Sequence, residues 1–141
     1  MPTTSHITRQ QLEQVIAVTP FAQLMGATIR EFGNGVAEFE IEVKPELMHQ
    51  HHGFVHGAIV GFMADSACAW AAASLAGDVV TAEYKLNLLA PARGERLRAQ
   101  GRVLKAGGRT LVVQADVFAL EQGNEKQVAV ALASIARVGA A

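Results

Sequence analysis

From Gly57 to Gly77 the sequence GAIVGFMADSACAWAAASLAG carries one charged side chain, Asp65, among small and apolar residues. No proline interrupts it, so it reads as one long helix, and a helix apolar on every face has to be buried on every face. Its alanines and glycines allow whatever surrounds it to come close. Its length and apolarity approach those of a membrane span. Asp65, and flanking segments that read as strands in need of partners, favour the core helix of a soluble protein instead. Burying an ionised carboxylate costs several kcal/mol unless it is paired. Asp65 is therefore expected to look out through a gap, at a subunit interface, and to have a task.

The flanks say what surrounds the helix. Thr8-Arg9-Gln10-Gln11 has the form of a capping box, followed by Leu12, Val15 and Ile16 at helical spacing. A second short helix starts at Thr19-Pro20, carries Phe21, Leu24 and Met25, and stops at Gly26. In VAEFEIEV, residues 36–43, Ala37, Phe39, Ile41 and Val43 alternate with glutamates, the mark of a half-buried strand. Asn34-Gly35 makes a hairpin with residues 27–32. After the long helix come strand-like runs at 80–89, 95–106, 109–122 and 126–138. Pro91-Ala92-Arg93-Gly94, Gly107-Gly108 and Gln122-Gly123-Asn124 separate them. Short turns between successive strands predict an antiparallel meander. The expected architecture is α+β: a curved antiparallel sheet facing one central helix.

With 141 residues and no repeat or linker, the chain is expected to form one domain. Residues 1–25 make an N-terminal helical segment and 26–141 the core. A net charge of −1 offers no basic excess to attract nucleic acid or an anionic membrane. The single cysteine, Cys68, cannot form an internal disulfide, and the N-terminal MPTTSH lacks the basic start and apolar stretch of a secretory signal. A cytoplasmic setting is expected.

The stretch HGFVHGAIVGFMADSACAWAA, residues 52–72, resembles the signature of hotdog-fold acyl-CoA thioesterases of the PaaI-like branch, in the 4-hydroxybenzoyl-CoA thioesterase superfamily. NLLAPARGERLRAQGRVLKAGGRTLVVQADVF, residues 87–118, resembles that branch's strand, Pro-x-x-Gly, strand, Gly-Arg, strand pattern. The resemblance runs from about Gly26 to the end and implies a hydrolase of an acyl-CoA, aryl-acyl or medium-chain alike, without metal or redox cofactor, coenzyme A entering as part of the substrate. It further implies that the Gly57 N–H polarises the thioester carbonyl and that His56 shapes the loop beside it. Asp65 is implied as general base on water or as nucleophile, and Thr81, ten residues before Pro91, as the hydroxyl that orients water. Ala58 stands where the motif has a second glycine, and Gln50 where many relatives carry an Asn that helps hold the carbonyl. Physics supports Gly57 independently, because the first N–H groups of a helix lack internal partners and sit at its positive end.

Gly57 and Asp65 are eight residues apart, about 12 Å along a helix axis. Polariser and base must both come within about 3–3.5 Å of the reacting group. One helix cannot do this alone, whereas two antiparallel copies can. The site is therefore expected to be shared within a homodimer, assembled further as a dimer of dimers.

Other readings stand beside these. Asp65 also fits a structural aspartate that caps a loop, and Thr81 ordinary strand filling. His49, His51, His52 and His56 invite a metal, yet no Cys or carboxylate lies at ligand spacing, and none is expected. Cys68 reads as a small core residue. Phe62 and Trp70 read as core or substrate-pocket wall. Arg93, Arg96, Arg98, Arg102, Lys105 and Arg109 read mostly as a solvated sheet face, with Arg93 and Arg109 as candidates for the nucleotide end of coenzyme A. Two rivals remain: a non-catalytic hotdog module that binds acyl-CoA or an aromatic ligand, and a hotdog hydratase, whose His-plus-acid arrangement matches this helix start less well.

Overall fold

A computed structural model describes residues 6–139. The expectation drawn from the first residues of the chain, His6 apart, lies outside them. Helix α1 (Arg9–Ala17) begins on a reciprocal capping box: the Gln11 N–H donates to Thr8 Oγ1 at 3.1 Å, and the Thr8 N–H to Gln11 Oε1 at 2.9 Å. It buries Leu12 and Ile16 and leaves Val15 46% exposed. Helix α2 (Pro20–Met25) ends on Gly26, whose φ of 71° is open to glycine at little cost. Ala22 and Met25 face inward from it, while Phe21 and Leu24 stay exposed.

Strands β1 (Thr28–Gly33) and β2 (Val36–Glu42) form the expected hairpin. Asn34 and Gly35 take positive φ values of 53° and 82°, the primed turn that matches strand twist. A short helix α3 (Pro45–Met48) and a loop then lead to α4 (Gly57–Ala76). Strands β3 (Val79–Leu88), β4 (Arg96–Ala106), β5 (Thr110–Glu121) and β6 (Asn124–Arg137) complete the chain. Among the described residues α4 is the one helix long and apolar enough to cross a membrane, and most of it is buried. It packs against the sheet face that carries Phe39, Leu97, Leu111, Val113, Val117 and Ile135. The opposite face is wet, as the alternation predicts. There Arg98 pairs with Glu38 and Glu125, both at 2.7 Å, and Arg96 with Glu40 at 2.9 Å.

All six strands pair antiparallel, but in the order β1-β2-β4-β5-β6-β3. The expected meander is therefore corrected: β3 lies on the far edge against β6, and β4 pairs with β2. The physical reason lies between β3 and β4. Pro91 carries no N–H for a ladder and cannot adopt the positive φ of a tight hairpin turn. Instead the connection crosses under the start of α4, where the Val55 N–H donates to the Ala92 carbonyl at 3.0 Å. By contrast, Gln122 and Gly123, at φ 48° and 82°, do turn β5 directly into β6.

The helix lies close to the sheet at Gly101 on β4. A Cβ there would stand 2.2 Å from the Ala67 carbonyl oxygen and 2.5 Å from its carbon, both backbone atoms that cannot swing aside. Gly101→Ala is expected to destabilise the protein by about 3 kcal/mol or more, the upper end for overpacking. A thermal melt checks this, and a melting temperature equal to the parent's would refute the close approach.

Candidate active site

The loop before α4 is held by its own backbone. The Gln50 N–H donates to the Phe54 carbonyl at 2.9 Å, the Gly53 N–H to the Gln50 carbonyl at 3.0 Å, and the His56 N–H to the Met48 carbonyl at 2.8 Å. Gln50 Oε1 accepts from the His52 N–H, so this side chain turns back on its own loop and leaves its NH2 as the free donor. His56 caps α4 with extended geometry, φ −60° and ψ 138°, and its Nδ1 accepts from the Ala58 N–H at 2.9 Å. Any proton on a neutral His56 ring then sits on Nε2.

This cap settles which N–H groups are free. An α-helix leaves its first four unpaired. Here the Ala58 N–H is taken by the His56 ring, and the Ile59 and Val60 N–H groups reach the His56 carbonyl at 2.9 and 3.3 Å. Among the described residues only the Gly57 N–H stays uncommitted at the positive end of the helix dipole.

Two turns on, Asp65 is half-buried and faces β3, where the Thr81 hydroxyl donates to its Oδ1 at 2.6 Å. A bulge between Thr81 and Glu83 makes this possible. The bulge puts Thr81 on the same inward face as Tyr84 and Leu88, which strict alternation would deny it. One helix stripe therefore meets β3 along its length. A Cβ on Gly57 would lie 3.3 Å from Leu88 Cδ1, one on Gly61 would lie 3.1 Å from the Tyr84 hydroxyl, and Asp65 meets Thr81. Tyr84 and Leu88, which the sequence did not single out, stand against Gly61 and Gly57 on this stripe. Nothing in the composition of residues 79–88 marks the bulge.

The remaining candidates fall in different places. Ala58 is exposed on the first turn of α4. Phe62 packs edge-on against Phe21 and Phe39, with centroids 4.9 and 5.9 Å away, on a side of the helix away from β3. Arg93 lies at the Gly57 end, its guanidinium 5.2 Å from the Phe54 ring centroid. Arg109 lies in the turn after β4, where its carbonyl accepts from the Arg137 N–H at 3.0 Å. The length of β4 separates the two arginines by on the order of 30 Å. Within one chain they cannot grip the same nucleotide. Among the described residues no three His, Cys, Asp or Glu side chains converge as a metal would need. Cys68 is buried, its thiol pushed up to about 12 by burial first and then by the Asp65 and Asp116 carboxylates. It is held as a neutral core residue.

A cavity of about 310 Å³ opens beside Gly57, lined by Phe54, Val60, Leu88 and Pro91. The arrangement offers one free N–H at a positive helix end, and one carboxylate fixed by a hydroxyl on the same face about 12 Å further along the axis.

Residues 52–126 match the family model described as the thioesterase superfamily. Three solved structures are similar over nearly the whole chain. A thioesterase family protein from Silicibacter pomeroyi is 34% identical, with 90% of this chain and 95% of that one covered and a TM-score of 0.86. A conserved protein from Pseudomonas aeruginosa is 30% identical, covering 94% and 100%, with a TM-score of 0.78. The PaaI protein of the E. coli phenylacetic acid degradation operon is 25% identical, covering 97% of each chain, with a TM-score of 0.84. No curated protein matches.

Proposed function

The chain belongs to the thioesterase superfamily, as a PaaI-like thioester hydrolase of the hotdog fold, and from that premise we propose that its substrate is an acyl-CoA, cleaved to a free acid and coenzyme A. Asp65 is the general base. It takes a proton from water as the water oxygen bonds to the thioester carbonyl carbon. The carbonyl oxygen becomes an oxyanion that accepts from the Gly57 N–H. Collapse of the tetrahedral intermediate breaks the C–S bond, and the departing thiolate of coenzyme A takes the proton that Asp65 removed from water, which returns Asp65 to the carboxylate. The Thr81 hydroxyl fixes the Asp65 carboxylate by donating to it, and its own lone pairs remain to accept from the water. His56 holds the loop so that Gly57 alone presents a free N–H, and the Gln50 NH2 assists at the carbonyl. The steps use only water and the chain's own groups.

The observation that carries this reading is the single uncommitted N–H at Gly57 on the same helix stripe as Asp65. Their separation makes the site a shared one, Gly57 of one chain facing Asp65 of the other. Edge strand β3 supports such pairing. It leaves one long side of its ladder open and exposes Val80, Tyr84 and Leu88. The same antiparallel arrangement would bring one protomer's Arg93 end toward the other's Arg109 end, so the nucleotide grip is proposed for the dimer.

A panel of acyl-CoAs, from acetyl to decanoyl and including phenylacetyl, tests the reading by release of free thiol. At least one member is expected to reach a kcat/KM of about 10⁴ M⁻¹s⁻¹ or more. Buried Cys68 adds no background in a thiol assay. Binding of every member with no thiol released would instead favour the non-catalytic module. The Gln50 oxygen, committed to its own loop, is the feature that favours that rival.

A further inference from the structure

A second apolar cavity is larger than the one beside Gly57. It is a groove of about 580 Å³ between α1 and the second half of α4. Leu12, Val15 and Val18 form the wall on the α1 side, and Ala69, Trp70 and Ala73 line it from α4. The α1 wall is unpartnered: Val15 is 46% and Val18 79% exposed, although an amphipathic helix normally turns such residues into the core. We propose that this groove receives the acyl hydrocarbon of the substrate, and that it selects a straight chain of medium length.

The proposal rests on the hydrolase reading above and deepens it. Continuity with the reacting groups carries it. Ala69 is one helical turn beyond Asp65, and Val79, at the groove's edge, lies two residues before Thr81 on the strand that carries it. A thioester carbonyl beside Asp65 would thus enter the groove directly with its acyl carbons. Shape decides the class of acyl group. The floor follows Ala69, Ala73 and Gly77 at four-residue spacing, about 12 Å along the axis. A channel so extended, floored by the smallest side chains, suits a flexible aliphatic chain better than one aromatic ring. Its volume lies within the ordinary range for small-ligand pockets, about 300–1,000 Å³. Each methylene it buries should raise kcat/KM about fourfold until the groove is full.

Trp70 is the chain's only tryptophan and lines the groove, so its fluorescence reports occupancy without any turnover. The experiment titrates the full-length protein with sodium decanoate, with coenzyme A alone as control. Decanoate is expected to shift Trp70 emission saturably to shorter wavelength, and coenzyme A is not. Ala69→Phe fills the floor, and Val15→Asp puts a carboxylate on an exposed wall position where folding is not at stake. Each is expected to weaken decanoate about tenfold or more, and to lower the ratio of decanoyl-CoA to butyryl-CoA turnover by a similar factor.

A silent Trp70 would overturn the proposal, as would Val15→Asp binding decanoate like the parent. So would decanoate splitting the oligomer, which would show the groove to be an interface between copies. Saturable binding with no acyl-CoA cleaved would sink the hydrolase reading and leave the groove standing as an acyl site. Cleavage with Trp70 unmoved would do the reverse.

Discussion

Asp65→Asn lowers kcat by about 10²-fold or more and leaves the fold intact, the loss expected when a general base is removed. Asparagine matches aspartate in shape and still accepts the Thr81 hydroxyl, whose 2.6 Å bond to Oδ1 fixes the side chain. What it cannot do is take up a proton at the reacting atom. Asp65 is also half-buried in an apolar helix, so losing its charge removes a desolvation cost. The melting temperature should therefore hold steady or rise. Steady-state kinetics on the best acyl-CoA, beside a thermal melt, separate the two effects. Parent rates in the variant would remove Asp65 from the chemistry, and a collapsed fold would make it the structural aspartate that one reading of the sequence allowed.

Gly57→Pro cuts kcat by about 10²–10³-fold, the range for loss of one oxyanion donor. Proline suits this position unusually well. Gly57 is the first residue of α4, where a missing N–H breaks no helix bond and proline's fixed φ is favourable. His56 before it already has φ −60° and ψ 138°, the extended geometry a following proline imposes. The added Cβ meets only Leu88 Cδ1 at 3.3 Å, the end of an exposed side chain that can move. Gly57→Ala introduces the same Cβ and keeps the N–H, so it should retain most of the activity. If proline and alanine were equally active, the Gly57 N–H would have no part in the reaction.

Much of the fold was legible because it is written in local chemistry. The Thr8–Gln11 box, the Asn34-Gly35 turn, the glutamate alternation of β2 and the all-round apolarity of α4 are each decided within a few residues, and each formed as read. Strand order is decided between residues far apart in sequence. The signals around Pro91 mark a break but not its span, so a crossing connection read as a turn. The same limit applies at the site. Asp65 stood out because a lone charge in an apolar run is rare. That Thr81 reaches it depends on a bulge one residue along, which shifts the side-chain parity of β3 and leaves no compositional trace. The single free N–H at Gly57 depends on the rotamer of His56, and the inward fold of Gln50 on its loop. The distance between Arg93 and Arg109 follows from the length of β4, and it turns a pair suggested by charge alone into two ends of one molecule.

Mixing the two inactive variants tests the shared site most directly. Asp65→Asn and Gly57→Pro chains, co-expressed or refolded together in equal amounts, should pair at random, so that about half of the dimers are mixed. Each mixed dimer joins an intact Gly57 from one chain to an intact Asp65 from the other in one of its two sites. The mixture should recover about one quarter of the parent's specific activity, while either variant alone stays inactive. A mixture as inactive as its components, with mixed dimers shown to be present, would place both groups in the same chain's site and contradict the account.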